Sequence, residues 1–131
     1  MNAQPYGLHT TVDADFATTR GRVTAALAAE GFGILTEIDV SATFKKKLDV
    51  DFRPYTILGA CNPHLAHQAI SAEADIGLLL PCNVVLQAVE GGTRVSIADP
   101  RAMFSVVPRD DMDALVQEAT ARLERVLAAL G

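Results

Sequence analysis

Both cysteines of the chain stand in short segments, Cys61-Asn62-Pro63 and Pro81-Cys82-Asn83, and each segment falls at a boundary between predicted secondary-structure elements. At such boundaries backbone N–H groups and a thiol can face the same small space. A strand that delivers Cys61 to the start of a helix sets its sulfur near first-turn N–H groups and the positive end of the helix dipole, which favours the thiolate. Cys61 is then the candidate attacking thiolate and Cys82 its resolving partner, provided the two sulfurs can approach bonding distance. The competing role for each is that of a small buried hydrophobe.

His64 and His67 follow on the same predicted helix at a spacing that puts them on one side, where they can join a thiol in acid–base or metal chemistry. A zinc site needs several converging ligands, and the chain has no regular zinc motif, so no metal ligand is assigned. Asn62 and Asn83 carry a different reading, in which their amides and the helix-start N–H groups hold a small anion or polar metabolite. Against this stand a helix-capping role for Asn62 and a turn role for Asn83. Glu37 and Asp39 share one side of a predicted strand and form a carboxylate pair if Glu73 approaches them; otherwise they are a solvated strand face. The chain has no nucleophile elbow, Walker loop or dinucleotide fingerprint, so hydrolase, ATPase and dehydrogenase readings lack their usual mechanisms and no cofactor is assigned.

The elements that must position these groups are readable from periodicity. Gly7 to Val12 reads as a strand, and Asp13 as the cap of a helix carrying Phe16, Val23, Ala26 and Leu27 until Gly31 ends it. Ile34, Ile38 and Val40 then fall on one side of a strand, with Leu35, Glu37 and Asp39 on the other. Ser41 starts a brief helix with Phe44 and Leu48 inward, and the next strand runs from Tyr55 towards Cys61. Asn62-Pro63 is a strong helix start, because Asn accepts from first-turn amides and Pro needs no donor at the first position. Leu65, Ala66, Ala69 and Ile70 give that helix an apolar face, with Glu73 near its end. Cys82 to Val89 and Arg94 to Ala98 form a hairpin about Glu90-Gly91-Gly92-Thr93. Beyond Asp99-Pro100 and Pro108, Asp110 or Asp111 begins a terminal helix whose Met112, Leu115, Val116, Ala119, Leu123, Val126, Leu127 and Leu130 make a long buried stripe.

The order is β-α-β-(short α)-β-α-β-β-α, which predicts an α+β fold with a mixed or largely antiparallel sheet covered on one face by helices. The other sheet face must be polar or covered by a partner, and the apolar stretch around Val84, Leu86 and Ile97 predicts a homodimer. At 131 residues and 50% apolar composition, the chain reads as one domain, 1–131, with a core that needs no metal or disulfide staple. Its formal charge of -5, from 16 acidic and 11 basic residues, gives no general attraction to nucleic acid or anionic membrane. Lys45-Lys46-Lys47 reads as a solvated patch. No signal-peptide pattern opens the sequence, and the longest apolar run, Ile76 to Leu80, is far too short to cross a bilayer. These features predict a cytoplasmic protein with both cysteines resting as thiols.

Gly59-Ala60-Cys61-Asn62-Pro63-His64-Leu65-Ala66 and Gly77-Leu78-Leu79-Leu80-Pro81-Cys82-Asn83-Val84-Val85 together resemble the DUF302 family of small bacterial and archaeal proteins. The resemblance extends to Gly31-Phe32-Gly33-Ile34-Leu35-Thr36-Glu37-Ile38-Asp39-Val40, Phe52-Arg53-Pro54-Tyr55 and Asp99-Pro100, and so takes in nearly the whole chain. It implies a compact α+β domain, often homodimeric, with Cys61, Asn62, Pro63, Cys82 and Asn83 as signature positions and no established catalytic role for any of them. Three functions follow from these readings. The first is binding of a small polar or anionic ligand by Asn62, Asn83, Cys61, Cys82 and His64. The others are thiol-dependent redox or transition-metal handling by Cys61 and Cys82, and a non-catalytic structural or interaction subunit.

Overall fold

The structure, a computed structural model, describes residues 5–131; the first four residues of the predicted 1–131 domain lie outside it. Five strands form one sheet in the order β1-β5-β4-β3-β2, with β1 Gly7–Val12, β2 Gly33–Asp39, β3 Tyr55–Cys61, β4 Cys82–Val89 and β5 Gly92–Ala98. Every neighbouring pair is antiparallel. The helices are α1 Phe16–Ala29, α2 Val40–Leu48, α3 Pro63–Ala72, α4 Pro100–Met103 and α5 Asp113–Leu130. Two 3₁₀ segments, Ala74–Leu79 and Phe104–Val106, follow α3 and α4. The α+β class, the largely antiparallel sheet and the predicted order are all present.

One face of the sheet is built from alternate residues: Val12 on β1, Leu58 and Ala60 on β3, Val84 and Leu86 on β4, and Val95 and Ile97 on β5. They pack on Val23 and Leu27 of α1 and on Leu123, Val126 and Leu130 of α5. A second, smaller cluster joins Ala69 of α3, Ile76 and Met112 to Leu80, Phe104, Leu115 and Val116. The long apolar stripe of α5 therefore serves two cores, its first half the small cluster and its second half the main one.

Several local details depart from the sequence reading. Asp15, not Asp13, caps α1, accepting from the Thr18 N–H at 2.7 Å. Asp39, not Ser41, caps α2: its carboxylate accepts from the Ala42 N–H and the Ser41 hydroxyl, and Val40 becomes the first helical residue. In β2 the register shifts between Ile34, opposite Ala60, and Thr36, opposite Gly59. The extra residue reverses the alternation beyond it, so Ile34 packs on the core while Ile38, opposite Ile57, lies on the other face and is half exposed. Ile70 of α3, predicted inward, is also exposed. Helix α5 begins at Asp113 with no side-chain cap, because the Asp111 carboxylate is held by the Arg109 guanidinium at 2.7 and 3.0 Å. Among the described residues no helix is long and apolar enough to cross a membrane.

Candidate functional site

Asn62 ends β3's run into α3 and is almost wholly buried, at 7% exposure. Its side-chain oxygen accepts from the Leu65 N–H at 3.3 Å, and its backbone carbonyl from the Ala66 N–H at 2.9 Å, so the predicted cap is formed. Pro63 occupies the first helical position, where its missing N–H costs no hydrogen bond. The Asn62 amide nitrogen reaches the other way and donates to the Glu30 carbonyl at 3.4 Å.

Glu30 is the C-cap of α1. There the Gly31 N–H bonds the Ala28 carbonyl and the Phe32 N–H bonds the Leu27 carbonyl, the paired closure that a left-handed residue permits, and Gly31 has φ +85°. This closure leaves the Glu30 carbonyl to outside donors. Arg122 of α5 supplies a second one at 2.9 Å, and Arg125 pairs with the Glu30 carboxylate. One carbonyl thus ties the end of α1 to the start of α3 and the middle of α5.

The two cysteines meet at a small cavity on the inner side of this junction. About 40 Å³ of space is lined by both Cys61 and Cys82, with Phe32, Ala60, Leu65 and Leu80 among its other walls. Phe32 and Ala60 belong to the main core and Leu80 packs on the small cluster, so the cavity marks the seam between the two hydrophobic units. Its surface is almost wholly apolar, and no buried side-chain nitrogen or oxygen among the described residues lacks a partner. A lining of this kind favours an apolar group over a charged one. Burial pushes the Cys82 thiol up from its ordinary pKa, and negative charge on Cys61 adds to the shift. Both cysteines are unpaired thiols.

On the outer side of Asn62 lies a polar cleft of about 350 Å³ between α3 and α5. His64 and Gln68 from α3, and Glu118 and Arg122 from α5, face it, while Asn62, Leu65 and Leu115 form walls common to cleft and cavity. Gln68, Glu118 and Arg122 were not found by sequence reading, because the contact between α3 and α5 leaves no local motif. The i, i+4 spacing of Glu118 and Arg122 was the one available signal, and the two side chains do pair, at 2.9 Å.

Other candidates lie elsewhere. Asn83 alternates away from Cys82 and faces the open side of the sheet, in a shallow site with Tyr6, His9, Val85 and Met103. The sheet separates it from Asn62. His9 shares a hydrogen bond with Ser96 at 2.9 Å on that same open side. His67 is exposed on α3 and lies outside the cleft. Glu37 is paired to Arg20 of α1, whose hydrogen bond holds its carboxyl below the ordinary value, and Asp39 is lowered by the Ala42 N–H and Ser41 hydroxyl that it caps. Glu73 pairs at long range with Arg109 instead of joining them. Lys45 bridges to Asp49 and Asp51. Among the described residues no group of three or more His, Cys, Asp or Glu side chains is placed to hold a metal ion.

A five-stranded antiparallel sheet backed by α1 and α5, with a two-cysteine cavity where α3 leaves β3, defines an α+β domain of a specific kind. The family described as "Domain of unknown function DUF302" matches residues 8–130, and the chain belongs to that family. It is similar to a crystal structure of an uncharacterized conserved protein DUF302 from Bacillus stearothermophilus, with a TM-score of 0.90 and 24% identity over 98% of this chain and 100% of that one. That likeness carries the fold. No curated protein matches the chain.

Proposed function

We propose that the protein binds a small polar or anionic molecule in the cleft between α3 and α5, with its polar end at Arg122, His64 and Gln68. The observation that supports this reading most is the convergence of those side chains on one cleft beside the cysteine cavity. Its volume of about 350 Å³ suits a small metabolite, whereas the inner cavity of about 40 Å³ suits only a methyl-sized end group. Arg122 is already paired with Glu118, but the pair is an exposed i, i+4 contact of a kind worth only about 0.3–0.5 kcal/mol. An anion can displace Glu118 at small cost while Arg122 keeps its bond to the Glu30 carbonyl. Asn62 contributes as the wall and brace of the cleft, since its amide is engaged with Leu65 and Glu30.

The test is a titration of the isotope-labelled chain with acetate, butyrate and inorganic phosphate, followed by amide shifts. Saturable shifts at His64, Gln68 and Arg122, weakened by the double substitution His64→Ala and Gln68→Ala, are the expected result. Shifts absent from α3 and α5 for all three probes sink the reading.

A second feature concerns assembly. His9, Ser96, Val85, Ile57 and Ile38 stand in register across all five strands on the open face, and the last three present an apolar band. Phe44, Phe52 and Tyr55 meet edge to face beside it. A second copy of the chain is the partner we propose for this band, in the reducing cytoplasm that two unpaired thiols suit. Sedimentation velocity should give a dimer that Val85→Glu converts to monomer; a monomer at every concentration rules it out.

A further inference from the structure

The sheet register fixes how near the two cysteines are. Ala60 stands directly opposite Cys82 on β4, and Cys61 is the next residue along β3. Opposed Cα atoms in an antiparallel pair lie about 4.5–5.5 Å apart and successive residues rise by about 3.4 Å, so a diagonal pair is separated by about 6 Å. That is inside the range of about 4.4–6.8 Å over which a disulfide can form. Strict alternation would send the two side chains to opposite faces. Both cysteines nonetheless line one cavity at the end of β3, where the chain passes into the Asn62 cap. The open volume of about 40 Å³ beside both residues is the space in which the sulfurs would meet.

We infer that Cys61 and Cys82 form a reversible dithiol–disulfide pair that exchanges electrons with low-molecular-weight disulfides. The inference stands apart from ligand binding in the outer cleft. In the first step the Cys61 thiolate attacks one sulfur of R–S–S–R, forming a Cys61–S–S–R bond and releasing R–S⁻, which takes a proton from solvent. In the second, Cys82 gives its proton to water and attacks the Cys61 sulfur, expelling the second R–S⁻, which is protonated in turn. The protein dithiol is oxidised by two electrons and R–S–S–R is reduced to two thiols. The raised thiol of Cys82 makes the second step the slower at neutral pH, so the mixed disulfide on Cys61 is the transient species.

The experiment uses reduced full-length chain in buffers of reduced and oxidised glutathione, quenched by acid and read by intact mass and peptide mapping. Wild type should lose two hydrogens and yield a linked Cys61–Cys82 peptide, and excess reduced glutathione should restore the dithiol. Cys82→Ser should stop at one glutathione on Cys61, with its far-ultraviolet circular dichroism unchanged as the control for folding. Wild type that accumulates stable glutathione adducts, or keeps both thiols in the fully oxidised buffer, overturns the inference. So does a loss of two hydrogens whose product maps to dimers linked between chains.

Discussion

The side-chain amide of Asn62 bridges two helix ends: its oxygen closes the start of α3, and its nitrogen holds the Glu30 carbonyl at the end of α1. The two bonds point in opposite directions from one buried group, so no other residue type reproduces both. Asn62→Ala should cost about 1–2 kcal/mol of unfolding free energy, the upper range for a lost cap. Asn62→Asp keeps the acceptor for Leu65 but sets a carboxylate oxygen against the Glu30 carbonyl, and should recover only part of that loss. Urea denaturation of the three proteins decides it, and an Asp variant as stable as wild type would show that the bond to Glu30 contributes nothing.

Gly31 is coupled to the same amide. Its φ of +85° disfavours any residue with a side chain, and a Cβ there would stand 3.0 Å from the Asn62 amide nitrogen. Gly31→Ala should therefore destabilise by about 1–2 kcal/mol from backbone conformation, with a further steric share. In an Asn62→Ala background the steric share disappears. Denaturation of the double variant should show coupling; additivity within about 0.5 kcal/mol would leave backbone conformation as the whole effect.

The cap at Asn62 and the turn at Gly31 were legible from sequence because each is local: Asn-Pro at a helix start and Gly at a helix end act through their own neighbours. The bond joining them was not, since it depends on how α1 and α3 are stacked. The same division explains β2, whose alternation reads plainly on either side of Leu35 while the register shift that reverses it is set by pairing with β3. Asp15 and Asp39 were missed as caps in favour of Asp13 and Ser41, because several acceptors crowd each helix start and the choice falls to backbone geometry. At the site, the sequence singled out Cys61, Cys82, Asn62 and His64, which the fold gathers around the start of α3. It had no means of placing Asn83 on the opposite sheet face without knowing that β4 is central and its odd residues face outward.

Gly59 packs closely against β2 and the segment that leads into Cys82. A Cβ at this position would collide with the Thr36 hydroxyl and stand 2.8 Å from the Pro81 ring, the residue that leads into Cys82. Gly59→Ala should destabilise by about 1–3 kcal/mol through overpacking. Adding Thr36→Ala removes the hydroxyl and should return part of the loss in thermal unfolding. No recovery would mean that Pro81, not Thr36, sets the limit.

Cys82 should titrate above a free thiol. Burial disfavours its thiolate, and charge on Cys61 disfavours it further, so alkylation at Cys82 should rise with pH through a midpoint above the roughly 8.5 of an unperturbed cysteine. Site-resolved mass spectrometry after brief iodoacetamide treatment gives the profile. In Cys61→Ser the midpoint should fall but stay above the free-thiol value, because burial is the larger cause. A wild-type midpoint at or below that of free cysteine contradicts the arrangement.

Asp99 links stability to acid. Burial pushes its carboxyl up, but hydrogen bonds from the Arg101 side chain and backbone N–H, with the guanidinium charge, outweigh burial and hold it below its ordinary value of 3.8. For a carboxylate lowered by folding, the stabilising contribution is complete above the unfolded value and is lost as pH falls through the folded one. Asp99→Asn keeps an acceptor for the Arg101 N–H but cannot gain from ionisation. Wild type should therefore exceed Asp99→Asn in urea midpoint at neutral pH, and the gap should close only as pH drops below about 4. Because Asp99 caps α4, whose Pro100 and following Phe104 both line the cysteine cavity, the same acid range should loosen that wall and speed labelling of Cys82 by an acid-tolerant disulfide reagent such as dipyridyl disulfide. A stability gap that stays constant from neutral to acid pH would mean that Asp99 acts through shape and hydrogen bonding alone, and labelling of Cys82 would then show no acid-dependent rise of this origin.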